Sequence, residues 1–75
     1  MNIDWNKLQS VYDKCQHAAV SFELHYEEYE DAWYFVVSSA AKAECVNFMW
    51  NNSSFDGAIR LVTEWLDNLG KKVSG

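Results

Sequence analysis

The densest chemistry in the chain lies between Glu27 and Asp31, where Glu27, Glu28, Glu30 and Asp31 surround Tyr29. Paired carboxylates do general acid–base work when burial or a like charge separates their pKa values, and an exposed loop supplies neither. Around an aromatic anchor the same groups suit a different role. They can dock into a basic groove, and on a rigid hairpin they can stand in for a phosphate backbone. The plain alternative is a solvated loop.

Cys15, His17, His25 and Cys45 are each legitimate zinc ligands, but they form no Cys-x-x-Cys pair, and Cys15 and Cys45 lie thirty residues apart. The simpler assignment is two core thiols and two surface imidazoles. A nucleophile needs a base within reach. Cys15 and His17 point to different sides of a helix, Ser38 and Ser39 stand outside any Gly-x-Ser-x-Gly elbow, and no glycine-rich phosphate loop is present. The expectation is a protein that is not an enzyme and needs no metal or cofactor.

The elements that hold these residues follow from apolar spacing. Asp4 is placed to cap a helix over 4–16, with Trp5, Leu8, Tyr12 and Cys15 on one face and Val11 widening it. Val20, Phe22, Leu24 and Tyr26 alternate with Ser21, Glu23, His25 and Glu27, the pattern of a strand over 19–27 with one buried face. Residues 28–31 lack glycine, so a four-residue connection built on a type I turn is expected. A second strand spans 32–38.

Residues 40–50 satisfy two periods. Ala40–Glu44 favours helix, whereas Val46, Phe48 and Trp50 alternate as in a strand over 44–50, which is preferred because two strands alone are marginal in water. Ser53-Ser54-Phe55-Asp56 resembles a capping box that opens a helix over 54–69. Phe55, Ile59, Val62, Leu66 and Leu69 form its main face, with Ala58, Leu61 and Trp65 in a row beside it. Arg60 and Glu64 are spaced to pair. Gly70 is expected to end the helix, Lys71 and Lys72 to meet its dipole, and 73–75 to fray. The fold class is therefore α+β, α-β-β-β-α, with a three-stranded antiparallel sheet and two helices on one face; the alternative is α-β-β-α-α.

Length and charge narrow the function. Seventy-five residues make a single domain (1–75) too small for a doubly wound sheet or a barrel. Four each of Trp, Tyr and Phe can still build a dense core. The net charge is −5 and the pI near 4.7. From Cys15 to Ala41 there are five acids (Glu23, Glu27, Glu28, Glu30, Asp31) and no Lys or Arg. Such a surface repels nucleic acid and anionic lipid and attracts a basic protein surface, although net charge alone also keeps small proteins in solution. Only Lys7, Lys14 and Lys42 can gather into a basic end. No stretch has signal-peptide or membrane-span layout, and two cysteines make no disulfide framework, so a reduced cytoplasmic setting is expected.

The order α-β-β-β-α resembles that of double-stranded-RNA-binding domains. Those domains read RNA with basic residues at the start of their second helix. Here that position holds Asn52-Ser53-Ser54-Phe55-Asp56, so the resemblance implies the topology and not RNA binding. The short, acidic, aromatic-rich character of the whole chain is similar to that of small phage-encoded inhibitors of host factors, anti-CRISPR and other anti-defence proteins among them. That resemblance rests on no motif and implies no residue roles.

The leading expectation is a non-catalytic module that occupies a basic surface of a host or cellular protein. Its contact residues would be Glu23, His25, Glu27, Glu28, Tyr29, Glu30, Asp31 and Tyr34. A homodimer through an open sheet face bearing Glu23, His25, Tyr34 and Val36 is the second expectation, and a degenerate double-stranded-RNA-binding-like domain the third.

Overall fold

Asp4 does cap the first helix: its Oδ1 accepts the backbone N–H groups of Asn6 (3.1 Å) and Lys7 (3.3 Å). In the computed structural model, which describes residues 3–51 and 53–71, the elements are α1 (Trp5–His17), β1 (Ser21–Glu27), β2 (Ala32–Ser39), β3 (Glu44–Trp50) and α2 (Phe55–Lys71). The expected α-β-β-β-α order holds, with an open antiparallel sheet in the order β1-β2-β3. The ambiguous stretch is a strand: residues 44–50 pair along β2 from Ser39↔Glu44 to Trp33↔Trp50. β-Branched and aromatic side chains decide it, and the helix-favouring alanines go into a turn.

Both hairpins close the same way. Glu28–Asp31 joins β1 to β2 and Ala40–Ala43 joins β2 to β3; the fourth N–H of each turn donates to the first carbonyl, at 3.3 and 3.2 Å. In each the fourth residue is left-handed, Asp31 at φ 51° and Ala43 at φ 54°. α1 ends on a third such residue, Ala19 at φ 55°. There Val20 N–H donates to Cys15 O (2.9 Å) and Ala19 N–H to Gln16 O (3.3 Å), a Schellman closure with Val20 and Cys15 both in the core. This closure takes residues 18–20, so β1 starts at 21 rather than 19. An alanine Cβ is strained in this backbone region. Ala19→Gly is therefore expected to raise stability by about 0.5–1 kcal/mol after the entropy glycine adds to the unfolded chain, read as a higher urea midpoint.

The inward sheet face carries Trp33, Phe35 and Val37 of β2 between Phe22, Leu24 and Tyr26 of β1 and Val46, Phe48 and Trp50 of β3. Phe35, Val37 and Val62 are completely buried, and Trp50, Phe55, Ala58, Leu66 and Leu69 pack in the same cluster with Val11 and Cys15. Both helices thus cover one face. α2 turns Ala58 inward and leaves Ile59 half-buried and Leu61 exposed, a small rotation from the expected face.

Other expectations need larger correction. First, α1 buries Val11 and Cys15 and half-buries Leu8, while Trp5 (66% exposed) and Tyr12 (45%) lie outside. Apolar residues at both 5/8/12 and 8/11/15 have helical spacing; the second row wins because α1 is turned toward α2, to which Lys7–Asp56 (2.9 Å) and Lys14–Asp67 (3.5 Å) join it. Second, β1 has no fully buried face: Phe22 is half-buried, Leu24 38% and Tyr26 41% exposed. It is an edge strand that the helices only partly cover. Third, Gly70 does not stop α2, which runs to Lys71. The capping box at Ser53–Asp56 is replaced by Asn51, whose backbone N–H donates to Ser54 Oγ (2.9 Å) and whose Oδ1 accepts Ser53 N–H (3.0 Å). No ion pair joins Arg60 to Glu64 among the described residues. Lys72 and the expected frayed tail lie outside them.

Candidate protein-binding site

The β1–β2 hairpin carries the acidic cluster at one end of the sheet, and flanking tyrosines hold it in place. Tyr26 Oη donates to Asp31 Oδ1 and Tyr34 Oη to Glu30 Oε1, both at 2.6 Å. Tyr26 and Tyr34 lie on opposite faces of the ribbon, so the tip is clamped from both sides. Glu27 Oε1 accepts the Tyr29 N–H (3.3 Å), and its Oε2 lies 3.9 Å from His25 Nε2. Tyr29 stands at the apex, 98% exposed. The carboxylates are gathered rather than scattered.

Among the described residues no lysine or arginine forms an ion pair with them. Lys7 and Lys14 are engaged with Asp56 and Asp67 between the helices, and Lys42 sits in the β2–β3 turn at the far end of the sheet. The basic end that Lys7, Lys14 and Lys42 could have formed is thus not assembled.

The phenols record the arrangement. Their hydrogen bonds to Asp31 and Glu30, then burial and the carboxylate charge, push the Tyr26 and Tyr34 hydroxyls above the ordinary tyrosine range. Because the folded state holds these protons more tightly, the stability they contribute is present below the ordinary tyrosine pKa and lost as pH rises through the folded value. Spectrophotometric titration is expected to show two tyrosines ionising late, and Glu30→Gln with Asp31→Asn to return both toward ordinary behaviour; an unchanged titration curve contradicts the clamp.

The outward sheet face adjoins the tip in three cross-strand rows: His25–Tyr34–Met49, Glu23–Val36–Asn47 and Ser21–Ser38–Cys45. The expected residues Glu23, His25 and Tyr34 therefore share one face, and Tyr34 links it to the tip through Glu30. The His25 and Tyr34 rings lie 6.4 Å apart. Met49, 60% exposed beside Tyr34, belongs to the same surface. The residue alternation of β3 is the signal for it, once 44–50 is a strand.

The remaining candidates do not converge. Cys15 is buried, and that burial pushes its thiol up, away from the reactive thiolate. Cys45 is exposed on the outward face, which corrects its assignment to the core. His17 Nδ1 lies 2.9 Å from the Asp13 carbonyl on α1, and His25 lies on β1. Among the described residues no group of three or more His, Cys, Asp or Glu is placed to hold a metal ion. Ser39 is buried, its Oγ accepting the Lys42 N–H (3.3 Å). A cleft of about 400 Å³ between α1 and α2 is lined by Asp13, Lys14, His17 and Asp67 among others. A second, about 380 Å³, lies where Trp5, Leu8, Gln9 and Tyr12 of α1 meet Phe22 of β1. Helical spacing alone does not reveal this groove, because it sends Trp5, Leu8 and Tyr12 to the core.

Among the described residues no helix is long and apolar enough to cross a membrane. Comparisons with protein-family models, curated proteins and solved structures find no match.

Proposed function

We propose that this chain is a non-catalytic protein-binding module that occupies a basic surface of another protein with its acidic, aromatic hairpin. One observation carries the reading: Glu27, Glu28, Glu30 and Asp31 lie together at the tip, with tyrosines rather than lysines bonded to Glu30 and Asp31. Held carboxylates cost little to order on binding, and their uncompensated field raises the encounter rate with a cationic surface. Tyr29 at the apex has the size and polarity of an interface anchor. Glu23, His25 and Tyr34 extend the contact onto the adjoining sheet face. The similarity to small phage-encoded inhibitors makes a host protein the expected partner, blocked by occupancy without chemistry.

Capture from a lysate of the source cell tests this. The immobilised wild-type chain is expected to retain a basic protein. A variant carrying Glu27→Gln, Glu28→Gln, Glu30→Gln and Asp31→Asn, with nearly the same shape, is expected to release it. Equal retention by both rules the hairpin out.

A further inference from the structure

Away from the tip, β1 leaves an edge that resembles half of a sheet junction. Among the described residues β1 pairs with β2 alone, so alternate backbone N–H and C=O groups along its other side point outward. Several of the usual guards of an exposed edge are missing, and the charges the edge does carry are Glu23 and Glu27. Residues 21–27 contain no Lys and no Pro, and their register with β2 runs through seven consecutive pairs without a bulge. Their helix-side residues are also unfinished: Leu24 and Tyr26 are exposed, and Trp5 and Tyr12 stand open on the adjacent helix around the groove at Phe22. The opposite edge, β3, differs because Trp50 is buried and Val46 and Phe48 pack against the core.

The sequence of β1 says what fits. Ser21-Phe22-Glu23-Leu24-His25-Tyr26-Glu27 is self-complementary about Leu24. Antiparallel pairing of two copies centred there sets Phe22 against Tyr26, Glu23 against His25, Ser21 against Glu27 and Leu24 against Leu24. Side chains that meet must share a face, which leaves only shifts of the centre by whole residues. Centring on Glu23 sets glutamate against glutamate, and centring on His25 sets Glu23 against Glu27. Like charges directly opposite destabilise a sheet, so of the registers that pair five or more residues of β1 only the one centred on Leu24 is free of them. In it the two Glu27 residues lie six positions apart along the seam, about 20 Å, well beyond the screening length of roughly 8 Å at physiological salt. The acidic tips therefore do not oppose the junction.

We propose that β1 is a homodimerisation edge, pairing antiparallel with β1 of a second copy about a two-fold axis at Leu24. The product is one six-stranded sheet with all four helices on one side. The exposed Leu24, Tyr26, Trp5 and Tyr12 face the seam, and the two acidic tips project at opposite ends. This inference stands on the β1 edge alone and is independent of what the tips bind.

Solution mass and register-specific cross-linking test it. Light scattering of the full chain at high micromolar concentration is expected to give twice the monomer mass, and Leu24→Lys to return the monomer with its circular dichroism unchanged. In a Cys45→Ser background, Leu24→Cys is expected to form an intermolecular disulfide under mild oxidation, because the two Cα atoms would be about 4.5–5.5 Å apart, within disulfide range. Tyr29→Cys, on the tip, should stay unlinked over the same time. Glu23→Cys mixed with His25→Cys should cross-link to each other in preference to themselves. A monomer at every concentration overturns the proposal. So does a dimer in which Leu24→Cys links no faster than Tyr29→Cys, a result that would move the interface elsewhere, for example to the outward face around Met49.

Discussion

Phe35→Ala is expected to cost about 3–5 kcal/mol, enough to leave much of the chain unfolded at 37 °C. Phe35 is the centre of the molecule: it sits on the middle strand, is completely buried, and its ring lies 5.3 Å from Trp50, 5.5 Å from Phe22 and 6.0 Å from Phe55. Those rings come from both outer strands and from α2, so the cavity would open where the sheet meets the helix layer. A domain of this size has roughly 4–11 kcal/mol of stability in total. Trp50→Ala removes a larger side chain, but the buried Trp50 Nε1 has no hydrogen-bond partner among the described residues, and losing an unpaired donor offsets part of the loss. Phe22 and Trp65 are only half-buried, so alanine there should cost less than at Phe35. Urea denaturation followed by tryptophan fluorescence reads these differences. A Phe35→Ala midpoint within error of the wild type would contradict the packing described.

Charge reversal of the tip is expected to have the opposite signature, abolishing partner binding while sparing the fold. With Glu27→Lys, Glu28→Lys, Glu30→Lys and Asp31→Lys, four attractions to a basic surface become repulsions, and like charges across an interface cost several kcal/mol. The change in affinity should exceed a hundredfold, mostly through slower association. The melting temperature should shift little, since Glu28, Glu30 and Asp31 are exposed and Glu27 is half-buried. What is lost from the fold is the pair of phenol–carboxylate hydrogen bonds, the Tyr29 N–H bond to Glu27 and aspartate's tolerance of the left-handed backbone at 31, and what is gained is relief of crowding among four like charges. A variant that melts normally and still binds would place the contact elsewhere.

Period-two and helical spacing make most of the architecture legible. The alternation in 19–27, the Asp4 cap and the breaks at 28–31 and 51–53 each have one physical solution. The strand at 44–50 is legible only as a preference, because Ala40–Glu44 pulls toward helix until the turn at 40–43 absorbs it. What spacing cannot give is which of two overlapping apolar rows turns inward. That choice on α1 depends on α2, through Asp56 and Asp67, more than forty residues away in sequence. The same limit hides the open side of β1: alternation marks an apolar face but not whether a helix reaches it. At the tip the carboxylates are readable as a cluster, whereas their tyrosine partners are not. Tyr26 and Tyr34 meet Asp31 and Glu30 only once the hairpin closes on the left-handed Asp31.

The idea that the clamped anions recognise a cationic surface is tested most directly by the salt dependence of the complex. Affinity measured across a range of ionic strength is expected to fall steadily with added salt for the wild-type chain. It should become nearly flat, and weak throughout, for the amide variant Glu27→Gln, Glu28→Gln, Glu30→Gln, Asp31→Asn. Parallel slopes for the two proteins would contradict the central claim, since the tip would then contribute none of the attraction.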